Sequence, residues 1–295
     1  MNSILKLEKI TKIYGEKVVV RNASFEIEKG KVYGLLGPNG AGKTTIMKII
    51  MNQVKCDRGY IACDSNLKIK YLQDVPEFYE FYSVCEYLNF ILDICHYSKD
   101  KQVRINEILS LLNLSDYKDV KIKLLSRGLR QKVGIASVII DEPDVLILDE
   151  PISALDPIGR KEMFNVILSL KSKVTIIFSS HILNDIERVC DHVILINNGK
   201  IVLNKSIQDI ELEKKSLLVA FKSKEDLNIV KEKTNYSCCF NSMIENCLEI
   251  EGEDINKLQK DILNIIIENN IVFNSVTMKS VNLEEIFLRE VRNNG

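Results

Sequence analysis

GPNGAGKTT, residues 37–45, decides how the rest of the chain is read. Gly37, Gly42, Lys43 and Thr44 stand at the spacing of a phosphate loop. The flanks agree with that reading. The apolar run VYGLL (32–36) predicts a buried strand before the loop, and TTIMKIIM predicts a helix after it. Glycines let backbone N–H groups curl around phosphate oxygens with no Cβ in the way. The N-terminus of the following helix adds partial positive charge. In such a loop Lys43 reaches the β- and γ-phosphates of a nucleotide, and the Thr44 hydroxyl is offered to Mg²⁺.

Working outward, VLILD (145–149) and VTIIFSS (174–180) are two more continuous apolar runs, the pattern of strands buried on both faces of a parallel sheet. Helical patterns lie between the runs, notably NEILSLLNL (106–114), so the class is α/β. VLILDEP puts Asp149 at the end of a buried strand, where its carboxylate can hold Mg²⁺. Glu150 follows, and strand alternation predicts that it turns toward the γ-phosphate, where a carboxylate can polarise an attacking water. That favours hydrolysis over transfer of phosphate to a second substrate.

At 295 residues the chain has room for two domains. All five prolines, and all but two of the thirteen glycines, lie before residue 200. Beyond residue 206 acidic residues outnumber basic ones, and before it the reverse holds. We therefore expect a boundary near residue 206, just after VILINNGKIVL, which reads as a hairpin turning at Asn198–Gly199. A net charge of −1 supplies no field for nucleic acid, and none is expected as a partner. The start, MNSILKLEKITKIYG, lacks the apolar core of a signal peptide, and no run approaches a membrane span. The eight cysteines show no CxxC spacing and read as buried free thiols.

Residues 1–206 resemble the ATP-binding cassette of ABC transporters, with the motifs in the family's order. Tyr14 resembles the aromatic that stacks on adenine, and residues 37–45 (Gly37, Pro38, Asn39, Gly40, Ala41, Gly42, Lys43, Thr44, Thr45) the phosphate loop. Gln73, in YLQD, resembles the Q-loop glutamine that contacts Mg²⁺ and water. LLSRGLRQ (124–131) resembles the signature, in which Ser126 and the backbone at Gly128 close on the γ-phosphate held by another subunit. VLILDEP resembles the second Walker motif, with Asp149 toward Mg²⁺. SALD (153–156) resembles the D-loop, which brings in Asp156, and His181 resembles the switch histidine that senses the γ-phosphate.

Two positions depart from the family pattern. Arg127 replaces a signature glycine, which costs about 1 kcal/mol or more if that backbone needs positive φ and little if it is helical. Ala154 stands where a D-loop glycine is common.

The resemblance implies a P-loop NTPase ABC cassette: a mixed sheet core with a helical signature subdomain over about residues 76–140. It implies an ATPase using ATP and Mg²⁺, with Glu150, His181 and Gln73 in catalysis. Two cassettes, expected to be copies of this chain, would dimerise around two ATP and drive a separate transmembrane permease from the cytoplasmic face of the membrane. The aromatic stretch DVPEFYEFYSVCEYLNFIL, after Gln73, is where the permease would dock. Tyr79, Phe81 and Tyr82 are too dense there for all to point inward.

Residues 207–295 read as a small α+β accessory domain. Its strands are LLVAFKS and CLEIEG, and its amphipathic helix carries Ile255, Leu258, Ile262, Ile265 and Ile266 on one face. With the closing VNLEEIFLREV it resembles the accessory region of export-type (ABC-2) cassettes, whose cargoes include peptide antibiotics, drugs and polysaccharides. A soluble ABC ATPase, and an ATP-gated module with weak hydrolysis, are the alternatives.

Overall fold

The computed structural model describes residues 3–287, apart from 154, 172, 213–215, 241–243, 253, 280–282 and 285. Ala154 and most of VNLEEIFLREV therefore lie outside the described residues. The chain divides into two compact units, one reaching Ser206 and the other starting at Ile207.

The first unit begins with a hairpin, β1 (Ser3–Tyr14) and β2 (Lys17–Glu28), followed by β3 (Val32–Leu36) and α1 (Lys43–Ile50). Next come β4 (Arg58–Cys63) and β5 (Ile69–Leu72). Helices α2 (Val84–Ile94), α3 (Lys101–Leu111) and α4 (Arg127–Ile139) form a contiguous helical section. The unit ends with β6 (Val145–Leu148), α5 (Pro157–Leu170), β7 (Thr175–Ser180), α6 (Leu183–Val189) and the pair β8 (His192–Asn197) and β9 (Lys200–Ser206).

Its main sheet has the order β5-β6-β7-β3-β8-β9, parallel except for β9. The continuous apolar runs behave as their composition requires: every residue of β3, β6 and β7 is buried. Strands β2, β1 and β4 form a separate antiparallel sheet. Ile46, Met47 and Ile49 of α1 pack in one core with Leu5, Leu7 and Phe25 from the antiparallel sheet and Leu35, Ile147 and Ile194 from the parallel one. The helix after the phosphate loop is thus clamped between two sheets, and the end of β3 is fixed with it. The β8–β9 turn runs through Asn198 (φ 47°) and Gly199 (φ 77°), the left-handed pair a two-residue hairpin needs.

Local signals start the helices of the middle section. Ser83 and Glu86 form a reciprocal capping box on α2, Asp100 caps α3 and Ser126 caps α4. At the far end of α4, Arg104 donates from Nε to the Ile140 carbonyl (2.8 Å) and from a terminal nitrogen to the Ile139 carbonyl (2.9 Å). This covers carbonyls the helix leaves open.

The second unit opens with α7 (Ile207–Leu212). It then runs β10 (Ser216–Phe221), α8 (Lys224–Lys233), β11 (Ser237–Phe240), β12 (Cys247–Glu251), α9 (Ile255–Glu268) and β13 (Phe273–Lys279). The sheet order β11-β12-β10-β13, all antiparallel, makes this a βαββαβ unit of ferredoxin-like type. Leu258, Ile262 and Ile266 of α9 are buried against Leu217, Val219 and Ile250, with Ile255 and Ile265 at the margin. Each fully buried side chain contributes about 1.5–3 kcal/mol at most.

The cysteines differ from the sequence expectation. All eight are free, but only Cys190 and Cys247 are buried. Cys63 and Cys239 sit on the outer strands β4 and β11, which explains their exposure. No group of three metal-ligating side chains forms among the described residues, and no described helix is long and apolar enough to cross a membrane.

Candidate functional site

The chain leaves β3 at Leu36 and enters a loop with no room for side chains at two points. A Cβ on Gly37 would overlap the Ile196 carbonyl. One on Gly42, whose φ is +110°, would stand 2.8 Å from the Val19 carbonyl. Because Gly42 is also the N-cap of α1, no side chain from that position covers the first-turn N–H groups. Ala41 ties the loop down: its N–H donates to the Pro38 carbonyl (3.1 Å), and its carbonyl accepts from Gly199 (3.1 Å). Lys43 turns back beneath the loop and is only 6% exposed. Its Nζ donates to the carbonyls of Gly37 (2.7 Å) and Pro38 (3.3 Å) and lies 3.5 Å from Glu150 Oε1.

Two carboxylates follow the end of β6. Asp149 is buried, and three hydroxyls satisfy it. Its Oδ2 accepts from Thr44 Oγ1 (2.8 Å) and the Tyr71 phenol (3.2 Å), and its Oδ1 accepts from Ser179 Oγ (2.7 Å). Burial, and then the Asp149 charge, push the Tyr71 phenol far above its ordinary value, so it stays a donor. No described lysine or arginine forms an ion pair with Asp149. The pair of hard oxygens, Thr44 Oγ1 on the exposed side and the buried Asp149 Oδ2, therefore suits a magnesium ion in ligand type and in its uncompensated charge.

Glu150 is held in a left-handed conformation (φ 47°), which costs a non-glycine residue about 1–2 kcal/mol. The strand stops at Leu148, so this turn aims Glu150, and strand alternation does not. Its N–H donates to Ser179 Oγ (2.8 Å), and its Oε2 lies 2.8 Å from His181 Nδ1. The loop carrying His181 is fixed by its neighbours. Ser180 Oγ accepts from the Ile182 N–H (2.9 Å), and Asp185 at the start of α6 pairs with Arg160 of α5 (2.7 Å).

These groups line a cleft of about 530 Å³ at the C-terminal ends of β3 and β6. Asn39, Gly40, Gly42, Lys43, Thr44, Thr45, Asp149, Glu150 and His181 come together there as the sequence expected. Gly37, Pro38 and Ala41 shape the loop from behind. Gln73 does not line the cleft: β5 ends at Leu72, the chain bends at the next residues, and Asp74 faces the site instead. Asp74 Oδ1 accepts from Ser153 Oγ (3.2 Å), another lining residue.

Sequence reading therefore missed Asp74, Tyr71, Ser153 and Ser179. Two signals were present: Asp74 adjoins Gln73, and Ser153 opens the SALD stretch. Tyr14 closes β1, is 48% exposed with Lys12 Nζ 5.2 Å from its ring centre, and lies outside the cleft lining. Asp156 is also outside it: the Asp156 carboxylate caps α5 by accepting from the Gly159 N–H (2.7 Å). Ser126 and Gly128 start α4 away from the cleft lining, with Ser126 Oγ accepting from the Leu129 N–H (3.4 Å). Arg127 is the first helical residue of α4. No positive φ is needed at that position, so arginine adds helix propensity, about 0.5–1 kcal/mol over glycine.

A family model described as ABC transporter matches residues 20–153. YxlF of Bacillus subtilis (strain 168), an uncharacterized ABC transporter ATP-binding protein, is 34% identical over 76% of this chain and 78% of its own length. The lantibiotic transport ATP-binding protein SrtF of Streptococcus pyogenes is 36% identical over 70% of this chain and 93% of its own. Among solved structures, an ATP-binding subunit of an ABC transporter superposes with a TM-score of 0.65 at 26% identity, covering 71% of this chain and 92% of that one. The ADP conformation of MJ1267, an ATP-binding cassette of an ABC transporter, gives 0.62 at 25% identity, covering 71% and 95%. ABC ATP-binding subunits work with a membrane permease. A phosphate loop facing two carboxylates and a histidine, on this fold and with these relatives, places the chain in the ABC transporter family, as an ATP-binding subunit that hydrolyses ATP to power transport.

Proposed function

We propose that two copies of this chain close head to tail around two ATP·Mg²⁺, and that the cycle drives a separate permease exporting a peptide or similar cargo. The observation that carries this reading is a division in the site. Lys43, Thr44, Asp149, Glu150 and His181 meet in one cleft, while Ser126 and Gly128 stand outside its lining at the exposed start of α4. A second copy is the natural source of the missing half.

In this reading the loop N–H groups and Lys43 hold the β- and γ-phosphates. Thr44 and Asp149 hold the metal, with Tyr71 and Ser179 fixing the carboxylate. When bound, Mg²⁺ offsets charge on the phosphate oxygens. Glu150 accepts the proton of the water that attacks the γ-phosphorus, yielding ADP and phosphate. Its left-handed backbone and its contact with His181 Nδ1 hold the carboxylate in one orientation. Asp74 takes the loop role first assigned to Gln73. Tyr14 remains the candidate adenine platform, and Asp156 a residue of the dimer seam. Once the γ-phosphate is gone, the contacts across the seam lapse and the copies separate.

The aromatic surface supports a permease partner. Tyr79 and Phe81 are 55% and 62% exposed, and Tyr79 contacts Tyr82 and Phe90 edge-on. Likeness to SrtF supports export, and a subunit bound to such a permease would sit on the inner face of the membrane. The second unit is proposed as the accessory domain of this motor.

The test is light scattering of Glu150→Gln with and without ATP·Mg²⁺. We expect ATP to convert monomer to dimer, and Ser126→Arg added to that variant to abolish the conversion. A protein that binds ATP and stays monomeric overturns the homodimer.

A further inference from the structure

His181 meets Glu150 with 45% of its side chain exposed, so packing alone does not fix its ring. The backbone on either side of it is braced by polar contacts that begin elsewhere. Ser180, just before it, is buried, and its Oγ accepts from the Ile182 N–H just beyond it (2.9 Å). The Ser180 hydroxyl in turn is shared between the Ile182 carbonyl and Asp185 Oδ2, each at 3.3 Å. No side chain caps α6, so this hydroxyl is what ties the turn to the helix.

Asp185 is itself held from outside. It is only 4% exposed, and one terminal nitrogen of Arg160 bridges both of its oxygens, at 2.7 and 2.8 Å. About one turn further along the same two helices, the Arg188 guanidinium of α6 lies 4.7 Å from the centre of the Phe164 ring of α5. Two contacts therefore pin α6 to α5. Neither Arg160 nor Asp185 lines the cleft.

Resting on the reading that Glu150 activates the water and His181 holds Glu150, we propose that Arg160 and Asp185 are positioning residues for hydrolysis, acting on His181 through Ser180. The ion pair sets α6 against α5, Ser180 ties α6 to the 180–182 turn, and the turn sets the reach of Nδ1 to Glu150. A buried ion pair adds little net stability over apolar side chains of similar size, and what it supplies here is a fixed geometry. That geometry matters to rate. A carboxylate that swings loses its alignment with the attacking water, and small misplacements slow such a step steeply.

The experiment labels the imidazoles of His96, His181 and His192 in the full chain and records their magnetic resonances. His181→Gln assigns the signal of that residue. Arg160→Met keeps the length of the side chain and removes its charge. Ser180→Ala cuts the link to the turn and leaves the ion pair, and with it the packing of α5 on α6, in place. We expect both variants to shift or broaden the His181 signal and to leave that of His96 where it is. In both, kcat should fall by about tenfold or more while KM for ATP moves little. Arg160→Lys, which again offers one nitrogen to both oxygens, should recover most of the loss. A His181 signal unchanged in Arg160→Met and Ser180→Ala, or one that moves while kcat holds, overturns the positioning role alone. If His181→Gln turns over ATP as fast as the parent, the reading beneath it fails as well.

Discussion

The cleft and the first turn of α4, which the proposed function makes two halves of one site, are built in opposite ways. In the cleft Lys43, Asp149 and Glu150 all lean on other groups of the same chain. Lys43 is held by loop carbonyls, Asp149 by three hydroxyls, and Glu150 by Ser179 and His181. At the start of α4, Ser126 makes one long capping contact, and Arg127 makes no side-chain hydrogen bond or ion pair with the described residues. The difference teaches where each group does its work. On the proposed function, a group that acts within its own chain is oriented in advance by its neighbours, and the groups set to act between chains stand exposed at the surface.

That contrast can be broken by substitution. The largest effect belongs to Glu150→Gln, which removes the base and keeps its shape. Turnover should fall by about 10²–10⁴-fold while ATP still binds, measured by phosphate release beside nucleotide binding. Lys43→Ala should instead remove binding itself, since the one cation of the cleft is gone.

A smaller effect separates two adjacent residues. Asp74→Ala should change turnover by about tenfold, the scale of one charged hydrogen bond, whereas Gln73→Ala should leave it within about twofold. The reverse result would return the loop role to Gln73. Smaller still, Tyr71→Phe deletes one of three donors to Asp149. We expect the Mg²⁺ concentration for half-maximal turnover to shift by several-fold, with little loss of kcat, read by a metal titration. An equal effect on all metal concentrations would make Tyr71 a packing residue only.

Much of this was legible in the sequence where function and local structure coincide. The phosphate loop needed its glycines for steric reasons visible in the string, and the buried runs gave β3, β6 and β7 nearly residue for residue. Legibility failed where the backbone leaves its regular path. Glu150 is aimed by a left-handed turn, a conformation that nothing in VLILDEP announces. YLQD reads as if the glutamine were the loop residue. β5 ends one residue earlier, however, and the bend presents Asp74. Tyr71 and Ser179 come from strands flanking β6, so only the sheet order places them beside Asp149. The question of Arg127 was answered by φ: the position is helical, so its side chain, and no strain, has to be explained.

The central claim is that each ATP site is shared between two copies of this chain. The most direct measurement mixes two variants that each lack one half, Lys43→Ala and Ser126→Arg, and follows phosphate release. Each alone should be nearly inactive. In a mixed pair, the phosphate loop of one meets the α4 start of the other and restores one whole site, so activity should rise well above the sum of the parts. A mixture no more active than its components would contradict the shared site.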